Sequence, residues 1–136
     1  MKEIKLDTGL QEYRLGAGTL RFNPADANLY DRFRQATEKL QAMTEGLQEK
    51  EDPIAQLVQL DAELKKLLSW VFGAGNDFDK MLEGVNLLSV TARGKTLIEG
   101  LLEALEPVLA EGARTCVERT CAQAVKKAKS RRESLS

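Results

Sequence analysis

Apolar residues recur at helical spacing in two blocks between Leu29 and Phe72, and the rest of the chain is arranged around them. Leu29, Phe33, Ala36, Leu40, Met43 and Leu47 follow one another at intervals of four and three residues, which puts all six on one stripe of a helix. Ile54, Leu57, Leu60, Leu64, Leu67, Leu68 and Val71 make a second stripe. Glu49-Lys50-Glu51-Asp52-Pro53 falls between them, and a proline inside a helix loses a backbone hydrogen bond and clashes with the preceding turn. The pattern therefore predicts an antiparallel helical hairpin. Its first helix is expected from Asn28 to about Lys50. Its second opens on the capping Asp52 with Pro53 and stops at Gly73-Ala74-Gly75.

Before the hairpin the period shortens to two. Ile4 and Leu6, Tyr13 and Leu15, then Leu20 and Phe22 alternate with polar neighbours, with Asp7-Thr8-Gly9 and Gly16-Ala17-Gly18 supplying turns. This predicts a small antiparallel meander over about residues 1–23. So few short strands are not stable alone, so their apolar face must pack on the helices. Asn23-Pro24-Ala25-Asp26 then combines a capping residue, a proline suited to the first helical position and an acid for the first turn, which announces a helix.

After the hairpin, Asn76 is placed to cap a short helix holding Phe78, Met81 and Leu82 and closed by Gly84. Val85 to Val90 is a compact apolar run read as a short helix or extended link. From Lys95 a third stripe runs through Leu97, Ile98, Leu101, Leu102, Leu105, Val108, Leu109 and Cys116, with Pro107 expected to kink or restart the helix near Glu106. Val117, Cys121 and Val125 continue a weaker face. The expected fold is mainly α, formally α+β: an N-terminal β-meander, a helical hairpin and further C-terminal helices in one domain, 1–125. A basic, frayed tail, 126–136, follows, in which Lys126, Lys127, Lys129, Arg131 and Arg132 stand against Glu133 alone.

A chain of 136 residues with 43% apolar and 30% charged residues suits a single globular domain. The net charge of −1 gives no whole-chain attraction to nucleic acid or an anionic membrane. The first residues lack the apolar run of a secretory signal, and no segment has the length of a membrane span, so a cytoplasmic location is expected. Cys116 and Cys121 lie about 140° apart around a helix, a poor geometry for a mutual disulfide, and are read as reduced thiols.

Candidate chemistry is sparse. Ser89-Val90-Thr91-Ala92-Arg93-Gly94-Lys95-Thr96 is one residue short of a phosphate-cradling loop, with Ser89 where that loop needs its first glycine. The helical pattern after Lys95 offers neither a parallel sheet nor a magnesium-holding aspartate, so an ordinary turn opening a helix is the expectation. Asp77 and Asp79 lack the ligand spacing of a calcium loop and are read as first-turn acids. The chain has no histidine, and its two cysteines cannot make a structural zinc site, so no metal or other cofactor and no catalytic residue is expected. Glu38, Glu45, Glu63, Glu99, Glu103 and Glu106 fall among lysines on solvated faces, and Glu99 and Glu103, four apart, repel mildly. The basic tail has no interleaved aromatic residue or recognition motif, which argues against nucleic acid. Trp70, Phe72, Phe78, Leu97 and Leu101 are the candidate partner-binding residues, because aromatic and large apolar side chains dominate interface hot spots.

The order of elements carries a family resemblance. The short meander, Asn23-Pro24-Ala25-Asp26-Ala27-Asn28-Leu29-Tyr30, the charged hairpin, and Phe72-Gly73-Ala74-Gly75-Asn76-Asp77-Phe78 before Gly84-Val85-Asn86-Leu87 together resemble the tail assembly chaperones of long-tailed phages and prophages of Gram-positive bacteria, over about residues 3 to 120. The resemblance implies a small, non-enzymatic cytoplasmic protein that binds the tape-measure protein and helps tail-tube subunits assemble around it without entering the virion. It also implies that a longer product of translational frameshifting can accompany the short one. A second copy of the chain is a further candidate partner. An oligomeric structural component of a phage tail or head-completion complex is the alternative, and a small helical regulatory or nucleic-acid-binding protein the third reading.

Overall fold

A computed structural model describes residues 1–47 and 52–135. The order is β1 (Gln11–Leu15), β2 (Gly18–Phe22), α1 (Ala27–Glu45), α2 (Pro53–Phe72), α3 (Phe78–Met81) and α4 (Leu97–Leu135). The class is as expected, mainly α with a small antiparallel sheet at the front.

The sheet has two strands. Gln11 pairs with Phe22 and Leu15 with Gly18 around a Gly16-Ala17 turn, where Gly16 takes φ +58°, a conformation that suits glycine. Ile4 and Leu6, expected to form a first strand, lie outside any ladder and are 90% and 79% exposed. Alternation alone does not make a strand; it needs an edge to pair with and apolar surface to cover, and in one copy this segment gains neither.

Asp26, not Asn23, caps α1, its Oδ1 accepting the Asn28 N–H at 3.0 Å. Asn23 instead accepts the Ala25 N–H and donates to the Thr8 carbonyl. Helix α1 ends at Glu45, short of the expected Lys50, which lies outside the described residues. Helix α2 begins where Asp52 and Pro53 announced it, Asp52 accepting the Ala55 N–H, and Gly73 closes it. The hairpin is antiparallel: Arg32 near the start of α1 donates to the Val71 carbonyl at the end of α2, and Lys39 sits 5.0 Å over the Trp70 ring.

One core joins all the layers. Leu20 and Phe22 from the sheet meet Leu29, Phe33 and Ala36 of α1 and Leu60, Leu64, Leu68, Val71 and Phe72 of α2. Phe78 and Met81 of α3, Leu87, and Ile98, Leu101, Leu105 and Leu109 of α4 complete it. A run of rings knits sheet to helices, with centroids 4.8 Å apart for Tyr13 and Phe22, 5.1 Å for Phe22 and Phe72, and 5.7 Å for Phe72 and Phe78.

Val85 to Val90 is an extended, turn-bearing link rather than a helix. Asn86 accepts the Leu88 N–H and donates to the Leu57 carbonyl, while Leu87 is fully buried. Helix α4 runs unbroken through Pro107, with no restart near Glu106. Leu101, Leu105 and Leu109 pack on both sides of the proline, and their burial holds the line where the lost hydrogen bond would otherwise break it. The helix also continues through Lys126 to Leu135, where a frayed tail was expected.

Candidate interaction surface

Helix α4 divides into two unlike halves. Up to Gly112 it buries one face in the core. Gly112 marks the closest approach: a Cβ there would overlap the Pro24 carbonyl, so only a glycine lets the helix rest directly on the chain that leads into α1. From Val117 to Leu135 every residue is exposed. This second half is 19 residues of helix, about 28 Å, standing clear of the body.

Its surface has a definite character. Val117, Cys121, Ala124, Val125, Ala128 and Leu135 recur at helical spacing and make a narrow apolar stripe. Around it lie six cations, Arg119, Lys126, Lys127, Lys129, Arg131 and Arg132, against Glu118 and Glu133. With the whole chain at −1 and this stretch at +4, the remainder is at −5. The even balance of the composition therefore hides an acidic body carrying a basic, amphipathic arm.

The five residues predicted for partner binding separate in the structure. Phe72, Phe78 and Leu101 are 5%, 1% and 6% exposed and are part of the core, which corrects their assignment as contact residues. Their size and spacing suited an interface and an interior equally; in the fold Phe72 lies between the Phe22 and Phe78 rings, and Leu101 joins the same core. Leu97 is half-buried against the same core. Trp70 alone is open, 45% exposed, with Lys39 over its ring. Leu101 shares its buried face of α4 with Ile98, Leu105 and Leu109. Exposed apolar groups lie instead at the start of α2, where Ile54 and Val58 are 67% and 60% exposed. An apolar groove of about 470 Å³ lined by Leu40, Leu47, Leu57, Leu88 and Ile98 runs between α1, α2 and α4.

The other candidates resolve into structural roles. The loop from Val90 to Thr96 closes on itself: the Thr91 N–H donates to the Lys95 carbonyl, the Gly94 N–H to the Thr91 carbonyl, and Lys95 binds both Glu103 oxygens. Those two amides are used within the turn and the lysine is paired with Glu103. The Thr96 hydroxyl accepts the Glu99 N–H at the head of α4. Asp77, rather than Asn76, caps α3 by accepting the Lys80 N–H. Among the described residues no three His, Cys, Asp or Glu side chains gather as a metal site. Cys116 and Cys121 are unpaired thiols.

Two polar constellations escaped the sequence reading. Lys65, only 7% exposed, binds Asp61 at 2.9 Å and Asp79 at 2.6 Å, while the other Asp61 oxygen accepts the Leu87 N–H. Burial works to lower the Lys65 pKa, but the hydrogen bonds and charges of Asp79 and Asp61 outweigh it and raise it above the ordinary 10.5. Asp61 and Lys65, four apart on a helix, were legible as a pair; Asp79 and Leu87 arrive only through the fold. Asn76, 5% exposed, accepts the Arg21 N–H and donates to the carbonyls of Arg21 and Phe72. Its amide takes the place of a neighbouring strand along the outer edge of β2.

No helix among the described residues is long and apolar enough to cross a membrane. Comparison with known protein families, with curated proteins and with solved structures finds no match.

Proposed function

We propose that this chain is a non-enzymatic assembly chaperone of a long-tailed phage or prophage, which acts in the host cytoplasm by lending helix surface to an elongated client, the tape-measure protein, while tail-tube subunits gather around it. The observation that carries the reading is the free half of α4. A 19-residue helix that is exposed along its whole length has an apolar stripe to cover, and helix-on-helix docking covers it. The stripe is lined with small residues, Ala124 and Ala128 among them, which favour close approach of another helix. The surrounding cations favour a client with acidic flanks, and contacts of this polarity form and release readily. The family resemblance suggests the identity of the client; the exposed stripe supports helix-on-helix docking as the manner of holding it.

Trp70 and the Ile54 and Val58 patch offer a second contact on the body. The test is capture of a tape-measure fragment by the full chain, compared with a chain ended after Cys116. Retention by the full chain and loss by the shortened one is the expected result. Equal binding by both removes the arm from the mechanism, and binding by neither removes the proposal. The structural-component reading is separated by purified virions, in which a chaperone is absent and a tail or head-completion component is present.

A further inference from the structure

The sheet has one closed edge and one open edge. Strands joined by a two-residue turn alternate between pairs that exchange hydrogen bonds and pairs that do not. Here Leu15 with Gly18, Tyr13 with Leu20 and Gln11 with Phe22 exchange them, which turns the backbone of Thr19 and Arg21 outward on β2 and that of Glu12 and Arg14 outward on β1. Asn76, bonded to both the N–H and the carbonyl of Arg21, verifies the phase and closes the β2 side. On the β1 side no hydrogen bond reaches the backbone of Glu12 or Arg14 among the described residues. An open edge of this kind is a template for another strand.

The same chain carries an unused strand. Lys2-Glu3-Ile4-Lys5-Leu6-Asp7 alternates apolar and charged residues, lies in no ladder, and leaves Ile4 and Leu6 exposed. It departs from a fixed point, since the Thr8 carbonyl accepts from Asn23 and the Gly9 N–H bonds to Asp7. We infer that the arm of one copy adds to the β1 edge of a second copy, and reciprocally, forming a two-fold dimer joined by exchanged strands. The occupant is identified by charge. Laid antiparallel with Ile4 opposite Tyr13, the arm sets Lys5 against Glu12 and Glu3 against Arg14, two opposite-sign pairs, and adds Ile4 to the apolar face of Tyr13 and Leu15. Shifting the register by two residues toward the end of the arm sets Asp7 against Glu12 and Lys5 against Arg14; shifting it the other way sets Glu3 against Glu12. Like charges directly opposite are unfavourable, so one register stands out. Arg14 has no carboxylate partner among the described residues, and Glu3 would supply it. Reciprocal exchange between two copies satisfies the isologous rule that a two-fold interface presents the same patch twice.

Light scattering of the full chain across a wide concentration range tests the inference, together with Arg14→Glu, Glu3→Arg, the double reversal, and a chain lacking Lys2 to Asp7. Each single reversal should weaken dimerisation about tenfold, because two pairs per dimer are each set against one another, and the double reversal should restore it. These residues are exposed, so folding is unaffected, and circular dichroism verifies it. Amide exchange at Glu12 and Arg14 should slow on dimerisation and only with the arm present. A chain that stays monomeric, a dimer that survives loss of the arm, or protected Glu12 and Arg14 amides in a monomer, meaning the arm has folded onto its own strand, would each overturn it. None of this depends on the client of α4.

Discussion

Alanine at Gly112 and at Gly100 should move stability in opposite directions, although both lie in α4 and the chemical change is the same. Glycine to alanine in a helix interior is favoured by about 1 kcal/mol of intrinsic propensity at either site. At Gly100 nothing lies within 4 Å of the added methyl, so the gain stands, about 0.5–1 kcal/mol. At Gly112 the methyl overlaps the Pro24 carbonyl and comes within 3.0 Å of the Ala25 nitrogen. That main chain cannot withdraw freely, because the Ala25 N–H is held by Asn23 at 2.8 Å and Asn23 is held by Thr8. Moving α4 instead strips contacts from Leu105 and Leu109. Overpacking against a rigid neighbour costs about 3 kcal/mol at the upper end of its usual range, which leaves a net loss of about 2. For a domain of this size that is a fall in Tm of roughly 6–10 °C, against a rise of roughly 2–4 °C for Gly100→Ala. Urea denaturation and thermal melts followed by circular dichroism measure both, and the double variant should be additive at this separation. A Gly112→Ala chain as stable as the parent would refute the close crossing and the placement of α4 on the body.

Asn76→Ala removes the partners of the Arg21 N–H and carbonyl and of the Phe72 carbonyl and should cost about 2–3 kcal/mol in urea denaturation. Lys65→Met should cost about 1–3 kcal/mol, chiefly by leaving Asp61 without its cation, since Asp79 is 64% exposed. The raised pKa of Lys65 means that its contribution is complete below the unfolded value of about 10.4 and is lost as the pH climbs through the folded value. The gap between parent and Lys65→Met should therefore be flat from neutrality to about pH 9.5 and narrow above it, as pH-dependent melts will show. Ending the chain after Cys116 should leave the Tm within about 2 °C, because every residue from Val117 to Leu135 is exposed; a larger fall would mean that this half of α4 is held.

The structure turns an apparently featureless helical protein into one with two distinct protrusions. One is a basic helix at the C-terminal end, the other an extended arm at the N-terminal end, and both are exposed in a single copy. Both are one-sided: each has apolar residues on a single face and charges elsewhere, the pattern of an element awaiting a neighbour. The body between them has a closed core, with Leu64, Val71, Leu87 and Leu109 wholly out of water. Activity on this reading belongs to the ends of the chain, not to a cleft.

The stripes from Leu29 to Met43, from Leu60 to Val71 and from Ile98 to Leu109 were legible because helical periodicity is local: spacing alone puts those side chains on one face, whatever they later meet. The opening of α2 at Asp52-Pro53 and its closure at Gly73 were legible for the same reason, since caps act within one turn. Proximity across the chain was not legible. That Asn76 leaves its expected capping role to close the β2 edge, that Asp79 joins Asp61 around Lys65, and that Phe72, Phe78 and Leu101 go inward rather than to a partner were decided by which elements came to lie together. So was the failure of Ile4 and Leu6 to form a strand, because a strand exists only against another. Pattern along the chain settles what each segment can present; burial and pairing, which depend on residues far away in sequence, settle what it touches.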